Sequence, residues 1–253
     1  MGALSVWSLA EFPEISPGDD LIGILCEALA KSDRPLANHD IIIVAQKIVS
    51  KAEDKFRRLS DVTPSDDARE LAMRCGDKDP RLVELVLQDS RGIVRTGPGI
   101  LIAQHRSGHI MANAGIDRSN VRGDEDTVLL LPDDPDRWCR EFAEALYERF
   151  ALRIGVVMAD SFGRPWRLGT AGVAIGAAGL TARLDVRGQP DRFGRPLETT
   201  EIGIADEIAS AASLVMGQTD AGLPVCILRG LELAGDGSAS DLLRPQEKDL
   251  FRG

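Results

Sequence analysis

Asp160-Ser-Phe-Gly-Arg-Pro-Trp-Arg167 sets a carboxylate, a hydroxyl and two guanidinium groups close together, and a glycine-rich run to Gly179 follows at once. A carboxylate beside a hydroxyl can hold a hard divalent cation that bridges phosphate oxygens, while Arg164 and Arg167 can offset charge developing on a transferred group. The segment reads as a site for anions and metal; the plainer alternative is a strand-to-loop turn with surface arginines. Gln46-Lys47-Ile-Val-Ser-Lys51 offers two lysines four residues apart, which contact phosphates or simply stand in water. Asn113-Ala-Gly-Ile-Asp117-Arg-Ser-Asn120 has a glycine that permits a tight bend and three polar side chains able to converge, with an Asx-rich turn as the alternative.

These clusters need elements to position them. The apolar run Arg153 to Ala159 reads as a buried strand, which places Asp160 at its carboxyl end, where ligands of open α/β sheets gather. Asp40 to Ala45 reads as a second buried strand, leading directly into Gln46. Helical spacing covers Leu21 to Ala30, Ala68 to Cys75 with Gly76 as the stop, and Pro80 to Gln88. A long helix starts at the Pro132-Asp-Asp-Pro135 break and runs to Phe150, and another spans Glu201 to Met216, closed by Gly217. Gly99 to Ala103 and His109 to Ala112 flank an Arg106-Ser-Gly108 turn, the pattern of a hairpin that delivers Asn113 to Asp117 into a loop. Thr127 to Leu131 and Leu223 to Leu228 are further strands, and no linker divides the 253 residues into separate domains.

Composition narrows the function classes. A formal charge of −10 argues against nucleic acid as the main partner, because a phosphate-tracking surface needs a basic excess. Cys26, Cys75, Cys139 and Cys226 lie far apart, which fits reduced thiols of a cytoplasmic protein better than a disulfide frame or zinc site. No apolar run is long enough to span a bilayer, and no signal-peptide pattern opens the chain. Neither Gly-x-x-x-x-Gly-Lys-Ser/Thr nor Gly-x-Gly-x-x-Gly occurs, so P-loop and dinucleotide folds have no support. His105 and His109 are four apart, but the alternation around them makes them hairpin residues rather than a metal pair.

Six elements occur in register along nearly the whole chain: Lys47-Ile-Val-Ser-Lys-Ala-Glu53, Asn113-Ala-Gly-Ile-Asp-x-Ser-Asn120, Asp160-Ser-x-Gly-Arg164, Gly172-x-Ala-Ile-Gly176, Ala205-Asp-Glu-Ile-Ala209 with Met216-Gly217, and Arg229-Gly-Leu231. Together they resemble the coenzyme F420 gamma-glutamyl ligases in their stand-alone form. The resemblance implies an α+β fold with a mixed sheet, assembled as an intertwined homodimer. It also implies a GTP- and divalent-metal-dependent enzyme that joins L-glutamate to a phospholactyl deazaflavin and extends the tail through gamma-glutamyl links. By the same resemblance Asp117 and Asp160 would bind a magnesium or manganese ion, and Ser161 and Gln218 a second; a monovalent cation such as potassium is a further expectation. Gln46, Lys47, Lys51 and Asn120 would contact GTP, with the loop Met216, Gly217, Gln218, Thr219, Asp220 and Ala221 and the segment Phe12, Pro13, Glu14 and Ile15. Two departures stand out: Gln218 and Ser161 replace a carboxylate and a threonine found in some archaeal relatives, and Phe12-Pro-Glu-Ile15 differs from a Leu-Pro-Leu-Ile type.

The activity that the resemblance implies calls for an acyl phosphate. A carboxylate does not accept an amine at neutral pH, so phosphorylation by GTP must precede attack by the glutamate amine; no enzyme nucleophile is needed. Two other readings stay open at this point: a related ligase acting on a different carboxylate, such as a folate-like acceptor, and a non-catalytic GTP-binding regulator.

Overall fold

Alternation, apolar runs and caps in this sequence produce twelve strands and six α-helices among the described residues, 3–119, 121 and 124–251, of a computed structural model. In chain order the strands are β1 (Ser5–Ser8), β2 (Ile41–Ala45), β3 (Phe56–Arg58), β4 (Ser90–Gly97), β5 (Ile100–His105), β6 (Ile110–Ala112), β7 (Thr127–Leu129), β8 (Gly155–Arg164), β9 (Arg167–Ala178), β10 (Leu184–Asp185), β11 (Glu201–Ile202) and β12 (Val225–Arg229). The helices are α1 (Leu21–Ala30), α2 (Gln46–Ala52), α3 (Asp66–Arg74), α4 (Pro80–Gln88), α5 (Pro135–Phe150) and α6 (Ile204–Met216).

The central sheet has the order β1-β12-β2-β8-β9. Only β2 and β8 run parallel; every other neighbour is antiparallel, so the sheet is mixed and the fold α+β. Ile41 to Val44 and Gly155 to Ala159 are buried throughout, as expected of strands covered on both faces. On one face α1 and α5 pack Leu25, Leu29, Phe142 and Leu146 against Ile42, Val44, Val156 and Met158. On the other, α6 sets Ala205, Ile208, Ala209 and Ala212 against Ile43, Val157 and Ala174. A satellite core holds α3 and α4 against the β4-β5-β6 sheet through Leu71, Val83, Val86, Leu101 and Ala103. Ser65, Asp79 and Asp134 cap α3, α4 and α5 with their side chains, and Pro80 and Pro135 open the last two helices.

Two expectations change. The strand that begins at Gly155 does not stop before Asp160 but continues to Arg164, because β9 pairs with it as far as Arg164↔Arg167. The glycine-rich run that follows is the body of β9, and its glycines serve packing. A Cβ on Gly172 would lie 2.3 Å from the Ala209 carbonyl of α6, and one on Gly176 would lie 2.5 Å from the Pro135 carbonyl of α5. Four residues apart, these two would share a face of a regular strand, but a register shift between Met158 and Ala159 puts one extra residue into β9 between them. The strand thus fits one helix on each side. Its amides are held there by carboxylates from both helices: Asp206 Oδ1 accepts from Ala174 N at 2.9 Å and Asp136 Oδ1 from Ala177 N at 2.8 Å. At its start the expected Glu201-to-Met216 helix is shorter, since Glu201–Ile202 pair with β10 before α6 begins at Ile204.

Candidate active site

β2 and β8 run side by side and bring the ends of two polar clusters together. Ala45 pairs with Ala159, so Gln46 and Lys47, which open α2, stand beside Asp160 and Ser161. Asp117 arrives from another direction. The 3₁₀ turn Asn113–Gly115 holds three successive residues at positive φ, 52°, 52° and 77°, and a paired bridge to Leu129 then fixes the Asp117 backbone. Gly115 is required there, because a Cβ would meet Leu131 and Met111 below 3.0 Å.

Asp117 Oδ2 accepts from Gln46 Nε2 at 3.2 Å and pairs with Lys47 Nζ at 3.0 Å, while Gln46 Oε1 takes a hydrogen bond from Ser50 Oγ at 2.8 Å. Burial, and then the neighbouring Asp117 carboxylate, push the Asp160 carboxyl up to about 6; the Ser161 amide, Lys47 and Gln46 oppose that rise. Ser161 Oγ donates to Gln218 Oε1 at 2.8 Å. One helical turn along α2, the nearly buried Lys51 pairs with Glu14 Oε1 at 2.6 Å. An open cavity of about 740 Å³ collects these groups.

Of the residues singled out in the sequence, Phe12, Pro13, Glu14, Ile15, Gln46, Lys47, Lys51, Asp160, Ser161, Met216, Gly217, Gln218, Thr219 and Asp220 line this cavity. Asp117 stands behind its wall in contact with Gln46 and Lys47, and Ala221 adjoins the lining without being part of it. Arg164 and Arg167 are exposed at the tip of the β8–β9 hairpin; Arg164, four residues beyond Asp160 along an extended strand, is about 13 Å on. Asn120 lies outside the described residues.

Hard oxygen donors dominate the Asp117, Asp160, Ser161 and Gln218 group, which suits magnesium or manganese and not a soft metal. Among the described residues no three His, Cys, Asp or Glu side chains form a ready-made metal cage. Two carboxylates, one of them close enough to raise the proton affinity of Asp160, fit a cation whose remaining ligands are water and substrate phosphate.

The model of the F420-0:Gamma-glutamyl ligase family matches residues 10–230. This chain belongs to that family. It is 43% identical over 253 residues to the coenzyme F420:L-glutamate ligase of Methanothermobacter thermautotrophicus, covering 99% of each chain. Identity to the protein of the same name from Methanopyrus kandleri is 40% over 260 residues, with both chains covered in full, and to that from Haloarcula marismortui 39% over 254 residues, covering 98% and 96%.

For this member of the gamma-glutamyl ligase family, sequence reasoning overlooked two groups at the cavity. Ser213 lines it from α6, three residues before Met216, and helical spacing could have found it. The Glu14 side chain was missed as a partner of Lys51, since a contact across 37 residues leaves no local signal.

Proposed function

We propose that this chain is a GTP- and divalent-metal-dependent ligase that joins L-glutamate to the phospholactyl deazaflavin precursor of coenzyme F420. What carries the reading is the Asp117, Asp160, Lys47 and Lys51 constellation at one cavity in a chain of this family. Among the described residues Glu14, Asp160 and Asp220 line the cavity with Lys47 and Lys51, and Asp117 adjoins them, an excess of negative charge that would repel a bare triphosphate. The nucleotide therefore enters with its cations. A divalent ion held by Asp117 and Asp160, with Ser161 and Gln218 beside a second, would offset phosphate charge during transfer.

The acceptor carboxylate oxygen attacks the γ-phosphorus of GTP, GDP leaves with the bridging oxygen, and an acyl phosphate results. The glutamate amine then attacks the acyl carbon and expels inorganic phosphate, losing a proton as the amide forms. Lys47 and Lys51, paired with Asp117 and Glu14 within the protomer, exchange these partners for phosphate oxygens on binding, which frees Asp117 for the cation. Met216 to Asp220, at the C-terminal end of α6 and just beyond it, and Phe12 to Ile15 enclose the nucleotide. The reading includes a homodimer in the cytoplasm: Trp166, Leu168 and Leu214 are 87%, 99% and 87% exposed, which an isolated protomer would leave in water. Among the described residues no helix is long and apolar enough to cross a membrane.

The test is direct. Purified protein with the deazaflavin precursor, L-glutamate, GTP and magnesium should give a product heavier by one glutamate residue, with GDP released over many turnovers only when both other substrates are present. Multiple-turnover GDP release without glutamate incorporation, or incorporation without GTP, ends this reading.

A further inference from the structure

Between β9 and α6 the chain makes an excursion whose construction serves nothing in the protomer's own core. From Arg183 to Glu201 every residue is at least partly exposed, yet the backbone is closely tied. Beyond the β10–β11 pair, Gly188 N donates to Leu197 O at 2.8 Å, Leu197 N to Gln189 O at 2.8 Å and Asp191 N to Arg195 O at 2.7 Å. Asp191 Oδ1 accepts from the amides of Phe193 and Arg195, each at 2.8 Å, which closes the tip. An isolated two-stranded arm without a core is marginal in water, so this one is built to be covered.

Its charges divide in two. At the root, Arg183 and Arg187 are neutralised by Glu201 and Asp185. At the tip, among the described residues, neither Arg192 nor Arg195 has an ion-pair partner, and Phe193 between them is 86% exposed. Two free guanidinium groups around a bare aromatic ring match a ligand that combines anionic groups with a planar ring system.

The cavity lacks what the arm offers. Among the described residues its cations are Lys47 and Lys51, which the nucleotide's phosphates engage, so none of these is left for the phosphate diester and carboxylate of the acceptor. No residue between 179 and 212 lines that cavity. The arm's root and the cavity lie at opposite ends of α6, since Ala205 N bonds to Ala182 O while Met216 faces the cavity; thirteen helical residues separate them by about 18 Å.

We propose that Arg192, Phe193 and Arg195 of one copy bind the anionic, ring-bearing acceptor at the cavity of a second copy. This inference rests on the ligase reading given above. It assigns the arm a substrate-binding role in trans, and a cavity without a neighbouring arm is incomplete.

The experiment pairs two variants. Arg192→Glu/Arg195→Glu, both in exposed positions, should raise the KM for the deazaflavin precursor about tenfold or more while GDP affinity and melting temperature stay unchanged. Asp160→Asn alone should be inactive. At precursor concentrations well below KM, heterodimers isolated by two affinity tags, one subunit of each kind, should regain about half of wild-type activity, because one of the two symmetry-related cavities then has an intact Asp160 and an intact neighbouring arm. An unchanged KM in the double variant, or heterodimers no more active than the arm variant alone, overturns the proposal. Wild-type protein that forms no glutamate adduct would instead overturn the ligase reading itself.

Discussion

The two ends of β2 treat an aspartate in opposite ways, one fully buried and the other partly exposed at the cavity. Asp40, immediately before the strand, is fully buried and accepts from Arg229 Nε at 2.6 Å and Nη2 at 2.7 Å; its Oδ2 also takes the Ala37 amide. Arg229 and Arg34 lie over the Trp7 ring at 5.2 and 5.3 Å, so that end of the sheet is a closed polar network locked by an aromatic plate. At the other end Asp160 has Asp117 as a neighbour, and among the described residues only Lys47, Gln46 and the Ser161 amide relieve it. Burial alone therefore does not mark a working carboxylate here. What separates the two is whether the fold completes the partner set or leaves it for a ligand.

The largest expected effect comes from removing the unrelieved charge. Asp160→Asn should lower ligation about 1,000-fold or more, because an amide cannot hold the cation. The same variant, without metal, should melt about 2–4 °C higher. The sign follows from linkage: a folded-state value of about 6, above the ordinary 3.8, means the folded protein binds the proton more tightly. Metal-free wild type should gain stability as pH falls from 7 through 6 towards 4, and the variant should lack that gain; calorimetric melts across this range decide it. A variant less stable than wild type at pH 7 would mean that Asp160 is as well partnered as Asp40.

At the closed end the expectation reverses. Arg229→Met leaves the Asp40 carboxylate buried with only the Ala37 amide, and should cost about 3 kcal/mol in urea unfolding. GDP affinity of the folded fraction should not change. Lys51→Ala should weaken GDP binding about tenfold by calorimetry with little loss of stability, which separates the cavity's lysines from structural cations. The smallest effect sharpens the open end further. Gln218→Glu, beside Ser161, should lower the magnesium concentration for half-maximal rate a few-fold, and identical titrations would remove Gln218 from the metal's surroundings.

Much of this arrangement could be read from local pattern. The all-apolar β2 and the capped helices α3, α4 and α5 follow from spacing and caps within a few residues, and the cavity cluster was visible as polar residues next to a buried strand. β1 and β4 went unread. Ser5–Ser8 is a strand only because β12 lies alongside it, and Ser90–Gly97 carries two register shifts that blur its alternation. Asp160-Ser-Phe-Gly-Arg164 looked like a strand ending in a loop because glycine usually breaks strands; the close approach of α5 and α6 that explains Gly172 and Gly176 involves partners more than thirty residues away. Likewise the placement of Arg164 at an exposed hairpin tip depends on how far β9 pairs, which no single segment specifies.

The extra residue in β9 has a consequence for how this chain can change over time. Side chains along the strand can be exchanged one at a time, but its length cannot: deleting Ile175 would remove the half-turn between Gly172 and Gly176 and direct one of the two away from the helix it was shaped for. Because Gly172 is paired with Ser161, such a deletion would also rotate the strand opposite the cavity's hydroxyl. Substitutions in this strand are graded losses, whereas a lost or gained codon inverts its faces, so surviving variation here should be confined to sequences of equal length.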